Sequence, residues 1–228
     1  MKHLFSLLVI GLLFSMTSCL EIIDDLSLNG DGSGMFKYTV NMSSSKVKIN
    51  SYLALDSLDG KKVPSISEIT NHIEELIDEL CTQEGISNVT FDSDYNNFVF
   101  KLKLDFASID ELEEAIKAIV RKRSKGRVDQ ELDHEWLTYS ESSLNRSIPR
   151  MNFERTKNLK ADEIADLKKG MYTSITRFES EVASFDNESA IVAKNKKAVM
   201  VRANPYSLIR QTNLLDNTIY LEESAENE

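Results

Sequence analysis

Alternating apolar and polar residues near the N-terminus predict a β-hairpin. Residues 20–28 are strand-like, and residues 36–42 alternate with a period of two. Between them, residues 29–34 (Asn-Gly-Asp-Gly-Ser-Gly) are dense in glycine, which is typical of a turn. Ile22, Leu26 and Leu28 are predicted to share one face of the first strand. In the second strand, Phe36, Tyr38, Val40 and Met42 alternate with polar residues.

Two capping boxes predict two amphipathic helices. Ser65 and Glu68 form the first box, which begins directly after Pro64. Ser108 and Glu111 form the second box. Apolar residues at helical spacing follow each box. They are Ile66, Ile69, Ile73, Leu76, Ile77 and Leu80 in the first helix, and Leu112, Ile116, Ile119 and Val120 in the second.

The order of these elements predicts an α+β fold. Residues 86–91 and 98–106 form a second strand pair between the two helices, so the N-terminal half reads β-β-α-β-β-α. Paired strands with helices returning to one face give a two-layer antiparallel sheet, close to a ferredoxin-like, split βαβ arrangement. We expect one α+β domain over residues 19–221, and any sub-boundary falls near 124–136.

The remaining residues predict a β-rich C-terminal extension. Residues 137–148 are extended, 159–169 form a short helix ended by Gly170, and 172–178 and 190–202 are strands. A short helical turn at 205–209 and a last segment at 214–221 follow. Residues 222–228 are an acidic tail, which we expect to be disordered.

Residues 1–18 predict a cleaved lipoprotein signal peptide. A short basic start precedes an apolar run that is shorter than the roughly 20 residues needed to span a bilayer. Met16-Thr17-Ser18-Cys19 resembles the bacterial lipobox, in which a cysteine thiolate accepts a diacylglyceryl group. We therefore expect Cys19 to be the lipidation site, and the open alternative is an ordinary secreted protein with an incidental Cys19.

Charge and cysteine content narrow the classes of function. The net charge is −10, and removal of residues 1–18 takes away Lys2 and no acidic residue, which leaves −11. This balance argues against nucleic-acid binding, which needs a basic footprint. The chain has two cysteines, so acylation of Cys19 leaves Cys81 without a disulfide partner and excludes a cysteine metal site. At the edge of its helical stripe, Cys81 is expected to be a partly buried packing residue.

The histidines give little support to an enzyme. His72 lies on the flank of the first helix near Glu68, Glu75 and Glu79, and His134 lies in an acidic stretch at 129–135. Adjacent residues of an extended chain point to opposite faces, so that stretch has poor spacing for one metal ion. We expect no metal, no cofactor and no catalytic residue. The sequence cannot exclude a Ser-His-Asp triad, because such residues meet only in the folded protein.

One dense basic cluster stands out in this acidic chain. It follows the second predicted helix, where cations complement the negative end of the helix dipole in a solvated helix exit. The alternative is contact with anionic lipid headgroups. The residues of this basic cluster are Arg121, Lys122, Arg123, Lys125 and Arg127.

The first hairpin resembles that of small bacterial envelope lipoproteins of the LppM type. In those proteins an acylated cysteine leads into a strand, an Asp-Gly-x-Gly turn and a second strand, as residues 26–40 do here. Residues 172–178 and 190–202 are similar to later strands of that family. The resemblance implies an α+β lipoprotein fold and a location in the cell envelope, and it implies no catalytic residue.

Together these observations predict a lipid-anchored cell-envelope protein that acts as a non-enzymatic binding, assembly or structural module. Its expected partners are the membrane, through acyl chains on Cys19, and an envelope protein of unknown identity. Leu20 after the cysteine, rather than Asp, favours the outer membrane by analogy with known sorting rules. The alternative is a membrane-tethered hydrolase acting on an envelope or scavenged substrate. Because the strand starts at once, we expect the domain to lie close to the membrane.

Overall fold

The computed structural model describes residues 20–58, 60–124, 132–148 and 159–222. The predictions for residues 1–19, for Lys125 and Arg127, and for residues 223–228 of the acidic tail fall outside these ranges. Glu222, the first residue of the predicted tail, is described, and its amide donates to the Glu181 carbonyl at 2.8 Å, which corrects the predicted start of the tail.

The N-terminal half contains the predicted strand pairs and helices, with an additional small unit between them. After a short 3₁₀ turn at Ser43–Ser45, one helix and a two-stranded hairpin precede the first capping box, and the sequence pattern gave no indication of them. The elements are β1 (Glu21–Leu28), β2 (Gly34–Asn41), α1 (Lys46–Leu53), β3 (Ser57–Leu58), β4 (Lys61–Lys62), α2 (Ile66–Cys81), β5 (Ile86–Asp94), β6 (Val99–Phe106) and α3 (Ile109–Ser124).

The C-terminal half is mostly strand. A 3₁₀ turn at Thr212–Leu215 precedes its last strand. The elements are β7 (Leu137–Ser140), β8 (Ser143–Arg146), α4 (Ala161–Lys169), β9 (Met171–Phe178), β10 (Val182–Phe185), β11 (Ile191–Val192), β12 (Ala198–Ala203), α5 (Pro205–Arg210) and β13 (Asn217–Leu221).

The predicted capping box of α2 is complete, and at α3 the structure shows the serine half of the predicted box. At the start of α2 the Glu68 amide donates to Ser65 Oγ at 3.2 Å, and the Ser65 amide donates to Glu68 Oε2 at 2.8 Å. At the start of α3 the Glu111 amide donates to Ser108 Oγ at 3.2 Å. Each box satisfies amides that the first turn of a helix leaves without a partner. The two helix starts are therefore confirmed.

Strands from both halves of the chain form one seven-stranded sheet, in the order β11-β12-β9-β1-β2-β6-β5. β1 lies at its centre, antiparallel to β2 and parallel to β9. The order of strand pairs and helices predicted an antiparallel sheet, and the parallel β1–β9 pair corrects this. A period of two is the same for parallel and antiparallel strands, so the alternation could not reveal that pair. The α+β class is confirmed, and the C-terminal strands extend the main sheet.

The core lies on one face of this sheet. α2 and α3 contribute to it beside β5 and β6, and a second sheet, in the order β10-β13-β8-β7, contributes its own side chains. Leu26, Leu104, Leu112 and Leu144 are almost fully buried, and they come from β1, β6, α3 and β8. The core therefore joins both helices and both sheets.

Candidate functional site

The chain enters the fold at the centre of the main sheet, one residue after the predicted lipidation site. The carbonyl of Leu20 already accepts a hydrogen bond from the Met171 amide at 2.8 Å, and β1 begins at Glu21. A Cβ added to Gly170 would lie 3.1 Å from the Leu20 carbonyl oxygen, so a residue without a side chain fits this close approach. Cys19 itself lies outside the described residues.

A carboxylate is buried on β1 only four residues from this entry point. Asp24 is 3% exposed and shares the core-facing side of β1 with Leu26 and Leu28. It accepts hydrogen bonds from Ser174 Oγ at 2.8 Å and from the Tyr172 hydroxyl, both on β9. The guanidinium of Arg146, on β8 of the second sheet, reaches both carboxylate oxygens at 3.2 and 3.3 Å. We call these four residues the Asp24 cluster.

The charges in the Asp24 cluster stabilise one another. Burial lowers the pKa of Arg146, but the charge of Asp24, the neighbouring Tyr172 and the hydrogen bonds to Asp24 together raise it by more, so the guanidinium stays protonated. Burial, and then the charge of Asp24, raises the pKa of Tyr172, which keeps the phenol protonated and able to donate. The Asp24 carboxylate thus accepts hydrogen bonds from two hydroxyls and one guanidinium, which use its acceptor capacity well. The geometry therefore suits a clamp between the two sheets.

A polar cleft of about 450 Å³ opens beside Arg146, between β8, the segment after β10 and the start of β13. Many of its polar groups are engaged within the fold. The Asn187 side-chain amide donates to the carbonyls of Leu214 and Asp216, and Asp186 accepts from the Thr218 amide at 2.7 Å. The cleft is lined by Asn145, Arg146, Ser147, Asp186, Asn187, Glu188, Ser189, Asn213, Leu214, Asp216, Asn217 and Thr218.

A serine and a histidine meet at the edge of this cleft. His134 Nε2 lies 2.9 Å from the hydroxyl of Ser147, which lines the cleft. The sequence named His134 but gave no indication of its serine. A hydrolytic triad also needs a group that orients the other ring nitrogen. Within the described ranges, no side-chain carboxylate is hydrogen-bonded to His134 Nδ1. The structure thus shows a serine–histidine pair at an exposed position.

His72 and Cys81 lie apart from this cleft, on α2. His72 Nδ1 lies 2.6 Å from the backbone carbonyl of Glu68, one turn earlier in the same helix. The prediction that Cys81 is partly buried is wrong, because it is exposed at the last position of the helix. Leu80, a residue of the apolar stripe in the same turn, is buried in the core, whereas Cys81 follows it by one position round the helix and lies on the exposed side. Among the described residues, no group of three or more His, Cys, Asp or Glu side chains has metal-binding geometry.

Part of the predicted basic cluster pairs with α2. Lys122 contacts Glu79 at 2.9 Å, and Arg123 lies 3.6 Å from Glu75 and 3.9 Å from Glu79. Arg121 is exposed, and Lys125 and Arg127 lie outside the described residues. The ion pairs give Lys122 and Arg123 a role in helix packing, and the anionic-lipid contact stays a prediction.

Comparisons with protein-family models and with curated proteins find no match. Among solved structures, the chain is similar to the folded domain of LppM from Mycobacterium tuberculosis, determined by NMR. The superposition covers 94% of this chain and 95% of that one, with 10% sequence identity and a TM-score of 0.44. The structure found is of the LppM type that the sequence resembles, and the likeness between the two structures is weak.

Sequence reasoning missed the buried charges. Asp24 falls between Ile22 and Leu26 on an apolar face, and this break in the alternation was the available signal. Glu113 and Lys117 form a second buried pair at 2.6 Å within α3, at an i,i+4 spacing that also stabilises exposed helix faces. Glu113 Oε2 also accepts the amide of Leu137 at 2.7 Å, which fixes α3 to β7.

Proposed function

We propose that this protein is a lipid-anchored cell-envelope module that binds or assembles other envelope components at a membrane surface. The observation that carries the proposal is the position of β1. This strand is central in the main sheet and begins two residues after Cys19. At about 3.3 Å per extended residue, such a connection reaches less than about 10 Å. A domain with so short a tether meets its partners directly at the bilayer.

The anchor would consist of acyl chains on Cys19. A single chain binds a bilayer only marginally, whereas two or three chains anchor stably, at about 0.8 kcal/mol for each buried CH₂ group. None of the helices in the described ranges combines the length and apolar character needed to span a bilayer. Because the residue after Cys19 is Leu20 rather than Asp, the analogy with known sorting rules makes the outer membrane the proposed location.

The proposal is tested by replacing the anchor and, separately, by lengthening the tether. Cys19→Ser should abolish labelling by a palmitate analogue and move the protein from the membrane fraction to the soluble fraction. Inserting about 20 Gly/Ser residues between Cys19 and Leu20 should keep the labelling, but it moves the domain roughly 25 Å away. Loss of partner crosslinking in the insertion variant supports action at the membrane surface. Unchanged labelling of Cys19→Ser contradicts the anchor.

A membrane-tethered hydrolase is the second candidate, and the 2.9 Å contact between His134 and Ser147 favours it. A serine activated by a neighbouring histidine attacks carbonyl or phosphoryl centres. A fluorophosphonate probe tests this directly. The hydrolase is supported over the binding module if the wild-type protein is labelled, Ser147→Ala is not labelled, and Ser143→Ala still is. No labelling of the wild type would remove this candidate.

A further inference from the structure

The exposed apolar side chains are concentrated in one segment between β2 and α2. Of the nine large hydrophobic residues that are exposed in the described part of the chain, five lie within residues 47–66. Their exposed fractions run from 37% for Tyr52 to 81% for Val47. They are Val47, Tyr52, Leu55, Leu58 and Ile66, and we call them the apolar rim. Such a concentration marks an interaction surface more often than isolated exposed residues do.

The first part of this segment lies at the end of the sheet where the chain enters. β2 ends at Asn41, which is directly opposite Glu21 in the register of the hairpin. α1 follows within five residues, and its Lys48 contacts Asp166 of α4 at 2.5 Å. α4 leads through Gly170 into the close contact with Leu20. Val47 and Tyr52 are therefore near the point of attachment to Cys19.

The last part of the segment returns to the same end. The hydroxyls of Thr70 and Tyr95 lie 2.8 Å apart, and the Tyr95 ring packs edge-on against Phe100 at 5.3 Å. Phe100 is paired with Val40, near the end of β2. Ile66 is one turn before Thr70 at the start of α2. The whole apolar rim thus begins and ends beside the entry of the chain.

The charge of this segment differs in sign from that of the protein. Residues 43–66 contain four lysines and two aspartates, whereas the whole chain has a net charge of −10. Lys61 and Lys62 form β4, and Lys46 and Lys48 flank Val47 in α1. Lysines beside exposed aliphatic and aromatic side chains are the composition of surfaces that bind at the interface of an anionic bilayer.

The geometry points to a bilayer-docking surface formed by the apolar rim and its lysines. The occupant is the surface of an anionic phospholipid membrane: the apolar side chains enter the boundary between headgroups and acyl chains, and Lys46 and Lys61 contact the phosphates. This inference rests on the proposed anchor, because the chain leaves the fold toward Cys19 at this end. Anchor and surface would together fix the orientation of the domain.

The experiment uses the mature chain, residues 19–228, with Cys19→Ser, so that binding does not depend on acyl chains. Co-sedimentation is measured with vesicles of phosphatidylethanolamine and phosphatidylglycerol at 3:1, and with neutral phosphatidylcholine vesicles. We expect binding to the anionic vesicles. Val47→Ser, Leu55→Ser and Leu58→Ser together should weaken it about tenfold or more, since the transfer free energy of roughly two CH₂ groups already corresponds to a factor of ten.

The matched control replaces exposed apolar residues outside the apolar rim. Ile191→Ser, Val192→Ser and Tyr220→Ser remove a comparable exposed apolar area and should leave vesicle binding unchanged. Lys46→Gln with Lys61→Gln should weaken binding to anionic vesicles. Both triple variants should keep the wild-type Tm, because the replaced side chains are exposed.

Three outcomes would overturn the inference. These are no vesicle binding by the parent protein, equal losses in both triple variants, and self-association of the parent in solution that the Val47, Leu55 and Leu58 changes abolish. The last outcome would make the surface a contact between copies of the chain. Failure here is distinguishable from failure of the anchor, because palmitate-analogue labelling of Cys19 is measured separately on the lipidated protein.

Discussion

Asp24 and Asp25 are consecutive in the sequence and lie in opposite environments. Asp24 faces the core and pairs with Arg146, while Asp25 faces the outer side of the sheet and pairs with Arg177 at 2.8 Å. The Arg146 and Arg177 side chains are 11% and 49% exposed, respectively. The two pairs thus have the same chemistry on the same strand and differ mainly in burial, so they form a natural comparison.

Arg146→Met should destabilise the fold by about 3–5 kcal/mol, because it leaves the Asp24 carboxylate buried without a counter-charge. Arg177→Met, the matched control, should cost at most about 1 kcal/mol, as exposed ion pairs contribute little. Urea unfolding followed by circular dichroism gives both values. Adding Asp24→Asn to Arg146→Met should recover part of the loss. Equal costs for the two single variants would contradict the assigned role of the Asp24 cluster.

At the scale of an element, α2 begins with a capping box that depends on ionisation. A hydrogen bond from Lys62, at 2.6 Å, and further bonds from Ser65 lower the pKa of Glu68 from 4.5 to about 2. Because the pKa of the folded state is depressed, the contribution of Glu68 to stability is present above its ordinary pKa. It is lost as the pH falls toward about 2.

Glu68→Gln should therefore reduce the difference in stability between pH 6 and pH 2. The amide can still accept from the Ser65 backbone, but it carries no charge to pair with Lys62. Measuring Tm from pH 6 to pH 2 should show the variant below the wild type at pH 6 and converging with it near pH 2. Glu74→Gln, at an exposed position of the same helix, should follow the wild-type curve. A constant offset across this range would show that Glu68 acts without its charge.

At the scale of the whole molecule, the parallel pairing of β1 with β9 makes the two halves of the chain interdependent. Glu21 lies opposite Met171, so the central strand of the sheet receives one neighbour from each half. Three partners of Asp24, namely Arg146, Tyr172 and Ser174, also come from the C-terminal half. Without that half, β1 would be an edge strand, and the Asp24 carboxylate would have none of these three partners.

A fragment of residues 19–124 should therefore lack a cooperative thermal transition, whereas removal of residues 223–228 should leave Tm unchanged. Both variants carry Cys19→Ser and are compared by circular dichroism and by dispersion of amide signals in NMR. This test also bears on the prediction of one domain over residues 19–221. A cooperative transition in the fragment would place a domain boundary near 124–136.

The sequence by itself determined the local structure. The period of two in β2 and β6 and the capping boxes of α2 and α3 are local signals, because side-chain direction and helix initiation depend on residues a few positions apart. These signals were enough for the α+β class. They were absent from α1 and the β3–β4 hairpin, where short elements carry too few residues to show a period.

Only the tertiary structure decided which elements meet. The Asp24 cluster joins residues separated by 122 to 150 positions, and alternation along a strand gives the face of a side chain without naming its partner across the core. The same holds for Ser147 beside His134, and for the apolar rim, whose two ends return to the entry of the chain. Long-range packing decides which side chains are buried, which charges pair and which segments lie near the entry of the chain. These properties depend on contacts between residues that are distant in the sequence, so the local pattern of the sequence does not predict them.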